Sequence, residues 1–185
     1  QMLPPASAEQ SLIIDAIKNG KNVICDAVDG SGKTTTVLLL AQQLRDKKIL
    51  QLTYNRMLKK EVRQKVIQND ISNLIVHNYH SLCVQCYDYR GYRDETMEEV
   101  IEQEIIPMRY IEFDILVIDE VQDMTELLYR FTRKVVSDMS DTCIILLIGD
   151  KYQSVYDFKG ADSRYLTLGH RLWPNIERAE YLSLN

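Results

Sequence analysis

The sequence has 185 residues, 45% of them hydrophobic and 26% charged, with a formal net charge of −5. These proportions exclude a disordered chain and fit one domain, residues 1–185, built around one core. No apolar run is long enough to cross a bilayer and no signal pattern opens the sequence, so we expect a soluble intracellular protein without a membrane partner. Because the net charge is negative, any nucleic-acid surface must be a local basic patch.

Apolar runs alternate with helical periodicity from end to end, which predicts an α/β fold with a mostly parallel sheet and helices on both faces. The near-continuous apolar character of the strand candidates fits strands buried on both faces. Six strands are predicted, at Asn22–Ala27, Lys48–Thr53, Asn73–His77, Ile115–Asp119, Thr142–Ile148 and Glu180–Leu184. Seven helices are predicted, at Ala8–Lys18, Lys33–Lys47, Met57–Gln68, His80–Tyr87, Met97–Ile106, Met124–Ser137 and Ser163–Arg171.

The first strand leads into AVDGSGKTT, residues 27–35, which is typical of a phosphate-binding loop. Glycines let backbone amides approach phosphates, the Lys neutralises the outer phosphates, and the following hydroxyl ligates magnesium. The strict GxxxxGK[ST] pattern is missed at its first position, which is Ala27. The loop residues expected to bind nucleotide are Asp29, Gly30, Ser31, Gly32, Lys33, Thr34 and Thr35.

The helix after the second strand carries a cluster of basic residues, which is a candidate nucleic-acid patch. A solvated helix face is the alternative for the same residues. The cluster consists of Arg56, Lys59, Lys60, Arg63 and Lys65.

The segment after the third strand contains a lone CxxC, Cys83 and Cys86. Because no second CxxC or CxxH accompanies it, we expect reduced thiols on a helix and not a zinc or redox site. His77 and His170 lack metal-ligand spacing to a second donor, so surface or hydrogen-bonded histidines are expected. Farther on, residues 88–112 are polar and acidic, and their apolar positions recur at helical spacing, which predicts a short helical insertion.

The fourth strand ends in ILVIDEVQD, residues 115–123. Its Asp119 suits a magnesium ion, and Glu120 can accept a proton from water. Together with the Lys33 loop, this carboxylate pair favours nucleotide hydrolysis over storage. We expect the loop and the pair to lie on neighbouring strand ends and to share one metal-bound triphosphate. The alternative, acids that only cap the next helix, is weaker for the pair than for Asp123.

The fifth strand is followed by GDKYQSVYDFKGAD, residues 149–162. Gln153 is placed just past a strand end, where an amide can contact a terminal phosphate. Tyr156 and Phe158 alternate with charged residues and could stack on bases, with Lys159 against the backbone. Core packing is the alternative for these two rings.

Six ordered segments resemble those of the first motor domain of superfamily 1 DNA helicases of the UvrD/Rep type. PASAEQSLIIDAI is similar to that family's Q motif, AVDGSGKTT to its phosphate loop, and LTYNRMLKKEV and VHNYHSLC to its two strand-contacting segments. VIDEVQD resembles the DExxD box, and GDKYQSVYDFKGAD the segment that couples hydrolysis to DNA.

The resemblance implies a RecA-like P-loop NTPase domain that uses ATP and Mg²⁺ to translocate on single-stranded DNA in the 3′ to 5′ direction. It places Gln10 at the adenine, Thr34 and Asp119 at the metal, and Gln153 at the terminal phosphate. Lys33, Asp119, Glu120 and Gln153 would form the catalytic set. The implied nucleic-acid contacts are Tyr54, Asn55, Arg56, His80, Ser81, Tyr156, Phe158 and Lys159. RNA is not excluded as the strand, and nothing indicates an obligate oligomer.

Several departures from the family pattern carry information. Thr35 stands where relatives commonly have an adenine-packing Arg, and the TYN form of the second segment resembles the F-box DNA helicase branch. About thirty residues follow HSLC where relatives insert a large subdomain, which is too few for one. EYLSLN resembles the lead into the family's next motif, so we expect a fragment whose partner, a second motor domain, is missing and which is nearly inactive by itself.

Two other classes remain open. DGSGKTT also resembles the phosphate loop of thymidylate kinases, although the DEVQD box argues against a nucleoside-monophosphate kinase. A helicase-like nucleic-acid-binding module without catalysis is the third class, and the intact Lys33, Glu120 and Gln153 argue against it.

Overall fold

A computed structural model describes residues 2–28, 30–139, 141–151, 160–173 and 179–185, and the side chain of His170 lies outside this description. Its strands form one parallel sheet in the order β3-β2-β4-β5-β1-β6. The strands are β1 (Val23–Ala27), β2 (Ile49–Leu52), β3 (Leu74–His77), β4 (Ile115–Ile118), β5 (Ile144–Gly149) and β6 (Glu180–Leu184). The six predicted strands are confirmed, with ends that differ by two residues at most.

Helices connect the strands. They are α1 (Ala8–Lys18), α2 (Lys33–Gln43), α3 (Arg56–Gln68), α4 (Tyr79–Cys86), α5 (Asp94–Glu102), α6 (Glu126–Asp138), α7 (Arg164–Thr167) and α8 (Gly169–Leu172). A short 3₁₀ turn, Val121–Asp123, precedes α6. No helix among the described residues has the length and apolar character needed to span a membrane.

Two helices differ from their predicted bounds for visible reasons. Helix α2 ends four residues early because the Asn73 side-chain amide donates hydrogen bonds to the carbonyls of Ala41, Leu44 and Lys47, which holds the chain in a turn. Helix α5 spans Asp94–Glu102 and not Met97–Ile106: acidic residues favour its N-terminus, and the chain turns after Glu102 at Glu104, whose φ of 50° is left-handed.

Two further predicted helices are changed more. The helix predicted from Met124 starts only at Glu126, where the Thr125 hydroxyl accepts a hydrogen bond from the Leu128 amide. The helix predicted at Ser163–Arg171 is wrong as one unit, because α7 and α8 meet at Leu168, which has a non-helical backbone conformation.

Alternating strand residues build a core on each face of the sheet. On one face Leu50, Leu116 and Leu147 pack with α4, α5, α6 and α7. On the other face Ile49 and Val117 pack with α1, α2 and α3. Each fully buried aliphatic side chain contributes about 1.5–3 kcal/mol relative to an exposed one. The predicted α/β architecture with helices on both faces is therefore confirmed.

All strands are parallel, so they end at the same edge of the sheet, which we call the carboxyl edge. The loop after β1, the Asp–Glu pair after β4 and the segment after β5 all begin there. Ligands of open parallel sheets bind at this edge.

Candidate nucleotide site and nucleic-acid groove

The loop after β1 has the backbone needed to surround an anion. Gly30 and Gly32 have φ values of 74° and 90°, which side-chain-bearing residues rarely adopt. The Ser31 amide donates a 3.0 Å hydrogen bond to the Val28 carbonyl, which closes the turn. Helix α2 then begins at Lys33, so its free amides and positive dipole end point into the loop.

Gln10 stabilises this loop from α1. Its amide nitrogen lies 3.3 Å from the Gly32 carbonyl and 3.1 Å from the Thr36 hydroxyl, and its oxygen accepts from the Ser7 amide. The side chain is buried, and a side chain at Gly32 would begin 3.0 Å from its amide nitrogen. Gln10 therefore braces the phosphate loop, a contact that the sequence did not predict. Its role at the adenine stays a prediction.

The lysine and the glutamate lie together. Lys33 Nζ is 3.6 Å from Glu120 Oε1, and both side chains are largely withdrawn from solvent. The expectation of neighbouring strand ends is wrong in one respect, because β5 lies between β1 and β4. Lys33 nevertheless reaches Glu120, because its long side chain extends from the first residue of α2 across the intervening strand end. One cleft thus holds both groups.

Asp119 lies at the bottom of this cleft and is only 3% exposed. Burial, and then the neighbouring Glu120 charge, raise its pKa to about 6, while Lys33 and the Glu120 amide act in the opposite direction. That amide donates a 2.8 Å hydrogen bond to Asp119 Oδ1. A buried carboxylate with a raised pKa is stabilised by a cation, so the position suits a metal ion.

The remaining donors fit a magnesium–nucleotide complex. Ser31 Oγ is buried and has no hydrogen-bond partner among the described residues, so its hydroxyl is available to a phosphate. The Thr34 hydroxyl belongs to the first turn of α2 and, with the Asp119 carboxylate, supplies the hard oxygen ligands that magnesium prefers. Asp29 lies outside the described residues.

Glu120 is fixed by an unusual backbone and by a buried glutamine. Its φ of 54° is left-handed, a conformation that costs free energy in a residue with a side chain and concentrates at functional sites. The Gln122 amide nitrogen donates to Glu120 Oε2 at 2.7 Å and to Asp123 Oδ2 at 3.3 Å, and its oxygen accepts from the Asp150 amide at 3.0 Å. Gln122 thus joins the end of β4 to the end of β5.

Sequence reasoning missed Gln122 as a functional residue. It is 1% exposed, and a Cβ at Gly149 would lie 2.6 Å from its Oε1, so a glycine at the end of β5 makes room for it. The available signal was a polar residue inside an otherwise buried stretch, since buried amides require partners.

A second cavity, of about 540 Å³, opens beside the cleft, and we call it the Tyr54 groove. Four of the predicted nucleic-acid contacts line it together, although they come from two different segments. Its lining consists of Tyr54, Arg56, Asn78, Tyr79, His80, Ser81, Val84, Tyr92 and Leu128. Tyr92, which belongs to the predicted insertion, is 59% exposed and was not predicted to contact nucleic acid.

Three predicted contacts also have structural partners. Asn55 lies beside the groove as the N-cap of α3, where its side-chain oxygen accepts hydrogen bonds from the Met57 and Leu58 amides. His80 Nε2 lies 2.7 Å from Asp94 Oδ1, and Ser81 Oγ lies 3.2 Å from His77 Nδ1. The expectation of a hydrogen-bonded His77 is confirmed.

Positive charge accumulates next to the groove. Burial, then Arg63 and Arg56, lower the pKa of Lys59, and burial with Lys59 and Arg63 lowers the pKa of His77 to about 4. Among the described residues, neither Arg56 nor Lys59 forms a salt bridge. Crowded like charges of this kind attract an anion such as a phosphate backbone.

Several predicted site residues cannot be placed. Gln153, Tyr156, Phe158 and Lys159 lie outside the described residues. In the sequence they follow β5, and β5 lies between β1 and β4 in the sheet.

A glycine loop that opens a helix, a lysine facing an Asp–Glu pair and a parallel sheet together define a P-loop nucleotide-binding domain. The AAA domain family matches residues 10–159, and the chain belongs to this family. A search of curated proteins gave no match.

Solved helicase structures share the fold. Pif1 helicase from Candida albicans aligns with a TM-score of 0.58 and 14% identity over 98% of this chain and 40% of that one. The Hef helicase domain of Pyrococcus furiosus aligns with a TM-score of 0.58 and 14% identity, and the alignment covers 95% of this chain and 38% of that one. Unliganded Pif1 from a Bacteroides species aligns with a TM-score of 0.54 and 16% identity, and the alignment covers 98% of this chain and 41% of that one. The chain therefore shares the fold of these helicase structures and spans about 40% of their length.

Proposed function

We propose that this chain is the ATP-binding motor domain of a helicase that couples ATP hydrolysis to movement on single-stranded DNA. The observation that carries the proposal is the adjacency of two sites at one sheet edge. The cleft holds Lys33 3.6 Å from Glu120, and the Tyr54 groove gathers four predicted strand contacts beside it.

The residues of the cleft divide the chemistry between them. Lys33 and the loop amides would neutralise and orient the phosphates, and Thr34 with Asp119 would hold magnesium, which adds positive charge at the reacting phosphate. Glu120 would orient the attacking water and accept its proton. Gln153 would contact the terminal phosphate. Movement, in the 3′ to 5′ direction, requires a second motor domain. Arginines from that domain would raise the rate of hydrolysis by a factor of about a thousand or more.

Binding of a labelled single-stranded oligonucleotide tests the proposal. We expect affinity that falls with salt, and Arg56→Ala should weaken binding and reduce the magnitude of the salt slope by about 1, because one phosphate contact is lost. Lys18→Ala is the matched control, since this exposed lysine lines a cavity at the opposite edge of the sheet.

Equal effects of the two substitutions would contradict the proposed groove. An RNA of the same sequence, titrated in parallel, decides the preferred strand, because only RNA carries the 2′-hydroxyl. Tighter binding of RNA would replace DNA in the proposal and leave the motor assignment in place.

A further inference from the structure

We propose that the Tyr54 hydroxyl is a positioning group that couples strand binding to the nucleotide cleft, acting through Asp123 and Gln122 on Glu120. This inference rests on the proposed function and specifies how its two sites communicate. The polar path runs from the groove to the phosphate loop without leaving the described residues.

The first link joins the groove to the carboxylates. Tyr54 lines the groove and is 38% exposed there. The chain reaches Tyr54 from the end of β2, which pairs with the end of β4: Leu52 lies opposite Ile118, and the Asp119 amide donates a 3.1 Å hydrogen bond to the Leu52 carbonyl. Burial, then the side chain of Asp123 and the charge of Glu120, raise the pKa of Tyr54 above its usual range. One part of this side chain is therefore open to a ligand, and the residue stands next to the segment that carries Glu120 and Asp123.

The second link is the Gln122 amide. Its nitrogen makes a short hydrogen bond to Glu120 Oε2, at 2.7 Å, and a longer one to Asp123 Oδ2, at 3.3 Å. The amide cannot rotate freely, because its oxygen holds the Asp150 amide at 3.0 Å. A displacement of Asp123 therefore changes how the two Gln122 protons are shared with Glu120.

The third link reaches the phosphate loop. Glu120 Oε1 lies 3.6 Å from Lys33 Nζ while Glu120 Oε2 accepts from Gln122. Glu120 is thus held between Lys33, which would bind phosphate, and the Gln122 amide, which also contacts Asp123. Both contacts hold the same carboxylate, so a shift of the Gln122 amide changes the position of Glu120 relative to Lys33.

Asp123 has the freedom that such a path requires. Its Oδ1 is buried and has no hydrogen-bond partner among the described residues. A buried acceptor without a partner is unfavourable, so a small shift that brings the Tyr54 hydroxyl to Asp123 Oδ1 is favourable. A strand stacked on the Tyr54 ring would bias this approach, and the path would transmit it to Glu120.

Reciprocity makes the proposal measurable without turnover. If the strand alters nucleotide affinity by some factor, the nucleotide alters strand affinity by the same factor. The experiment is fluorescence anisotropy of a labelled oligothymidylate titrated with the 185-residue chain, with and without magnesium and a non-hydrolysable ATP analogue. The wild-type ratio of the two dissociation constants should be about five or more, in either direction.

Tyr54→Phe keeps the ring and removes only the hydroxyl. The ring that would stack on a base is retained, so the nucleotide-free dissociation constant of this variant should remain measurable. Its ratio should fall to below about two, because the coupling free energy is lost. Tyr92→Phe is the matched control: it removes a hydroxyl from the same groove and should keep the wild-type ratio.

A double-mutant cycle tests the path itself. Gln122→Met retains side-chain length but can neither donate to Asp123 nor hold the Asp150 amide. Combined with Tyr54→Phe it should reduce the ratio no further than either substitution alone, since residues on one path are not additive.

Four results would overturn the inference. They are a wild-type ratio of one, a wild-type ratio retained by Tyr54→Phe, an equal loss of coupling in Tyr92→Phe, and a Tyr54→Phe protein whose nucleotide-free binding collapses. Absence of any oligonucleotide binding by the wild-type chain would instead refute the proposed function.

Discussion

Glu120 combines strain and constraint in a way that fits a reacting group. Its left-handed backbone directs the side chain into the cleft, where Lys33 and Gln122 hold the two carboxylate oxygens separately. Asp119, one residue earlier, points to a buried position and is held by the Glu120 amide. Adjacent acids therefore have different environments, which suits one to a metal and the other to a proton.

The buried Asp119 should make the protein less stable as pH rises. Its folded pKa is raised to about 6, so the folded state favours the protonated form, and stability is lost as pH increases from about 4 through about 6. Asp119→Asn removes this titration. Thermal unfolding is measured without nucleotide or metal. The free energy of unfolding of the variant, relative to wild type, should rise between pH 4.5 and pH 8 by on the order of 2–3 kcal/mol, since one pKa unit corresponds to about 1.4 kcal/mol.

Asp15→Asn, which removes an exposed carboxylate on α1, is the control for the lost charge and should show no such gain. Magnesium with a nucleotide should narrow the difference between Asp119→Asn and wild type at pH 8, because a cation stabilises the ionised carboxylate. A stability difference that does not change with pH would contradict the assignment.

At the scale of elements, the start of α3 combines a structural role with a proposed nucleic-acid contact. Asn55 is both its N-cap and a predicted nucleic-acid contact. Asn55→Ala should lower the free energy of unfolding by about 1 kcal/mol, because two helix amides lose their acceptor. Chemical denaturation measures this.

Asn55→Asp separates the two roles. An aspartate caps a helix as well as asparagine does, so stability should be retained, whereas its negative charge beside the groove should weaken oligonucleotide binding. An Asp variant that binds the oligonucleotide like wild type would show that Asn55 is a cap alone.

The strands and the cleft were predictable from sequence because each left a local pattern. Continuous apolar runs marked the strands, and glycine spacing with a following Lys33 marked the loop. Gln122 is marked in the sequence only as a polar residue in a buried stretch, and its partners were not predictable, since one of them, the Asp150 amide, follows another strand. Tyr92 was missed because an exposed aromatic in an acidic insertion has no periodicity that places it in a groove. The position of β5 between β1 and β4 in the sheet depends on the topology of the whole domain, which short sequence patterns do not reveal.

At the scale of the whole molecule, the carboxyl edge brings together parts of the chain that are distant in sequence. Strand β1 delivers Lys33, β4 delivers Glu120, and β2 leads into Tyr54 and α3. The amino edge has a cavity of its own, of about 450 Å³, but among its described lining residues no lysine pairs with an acid as Lys33 pairs with Glu120. The proposed chemistry is therefore placed at the carboxyl edge and not at the amino edge.

Calorimetric titration of Mg²⁺-ATP into three variants tests the shared cleft most directly. Lys33→Ala should weaken binding about tenfold to a hundredfold, since a lost charge-assisted contact costs about 1.5–3 kcal/mol. Lys47→Ala, an exposed lysine at the opposite edge, should bind like wild type. Glu120→Gln should also retain affinity while the slow hydrolysis by the isolated chain disappears, because only water activation is lost. If Glu120→Gln lost as much ATP affinity as Lys33→Ala, or hydrolysed ATP at the wild-type rate, the assigned roles of the two residues would be wrong.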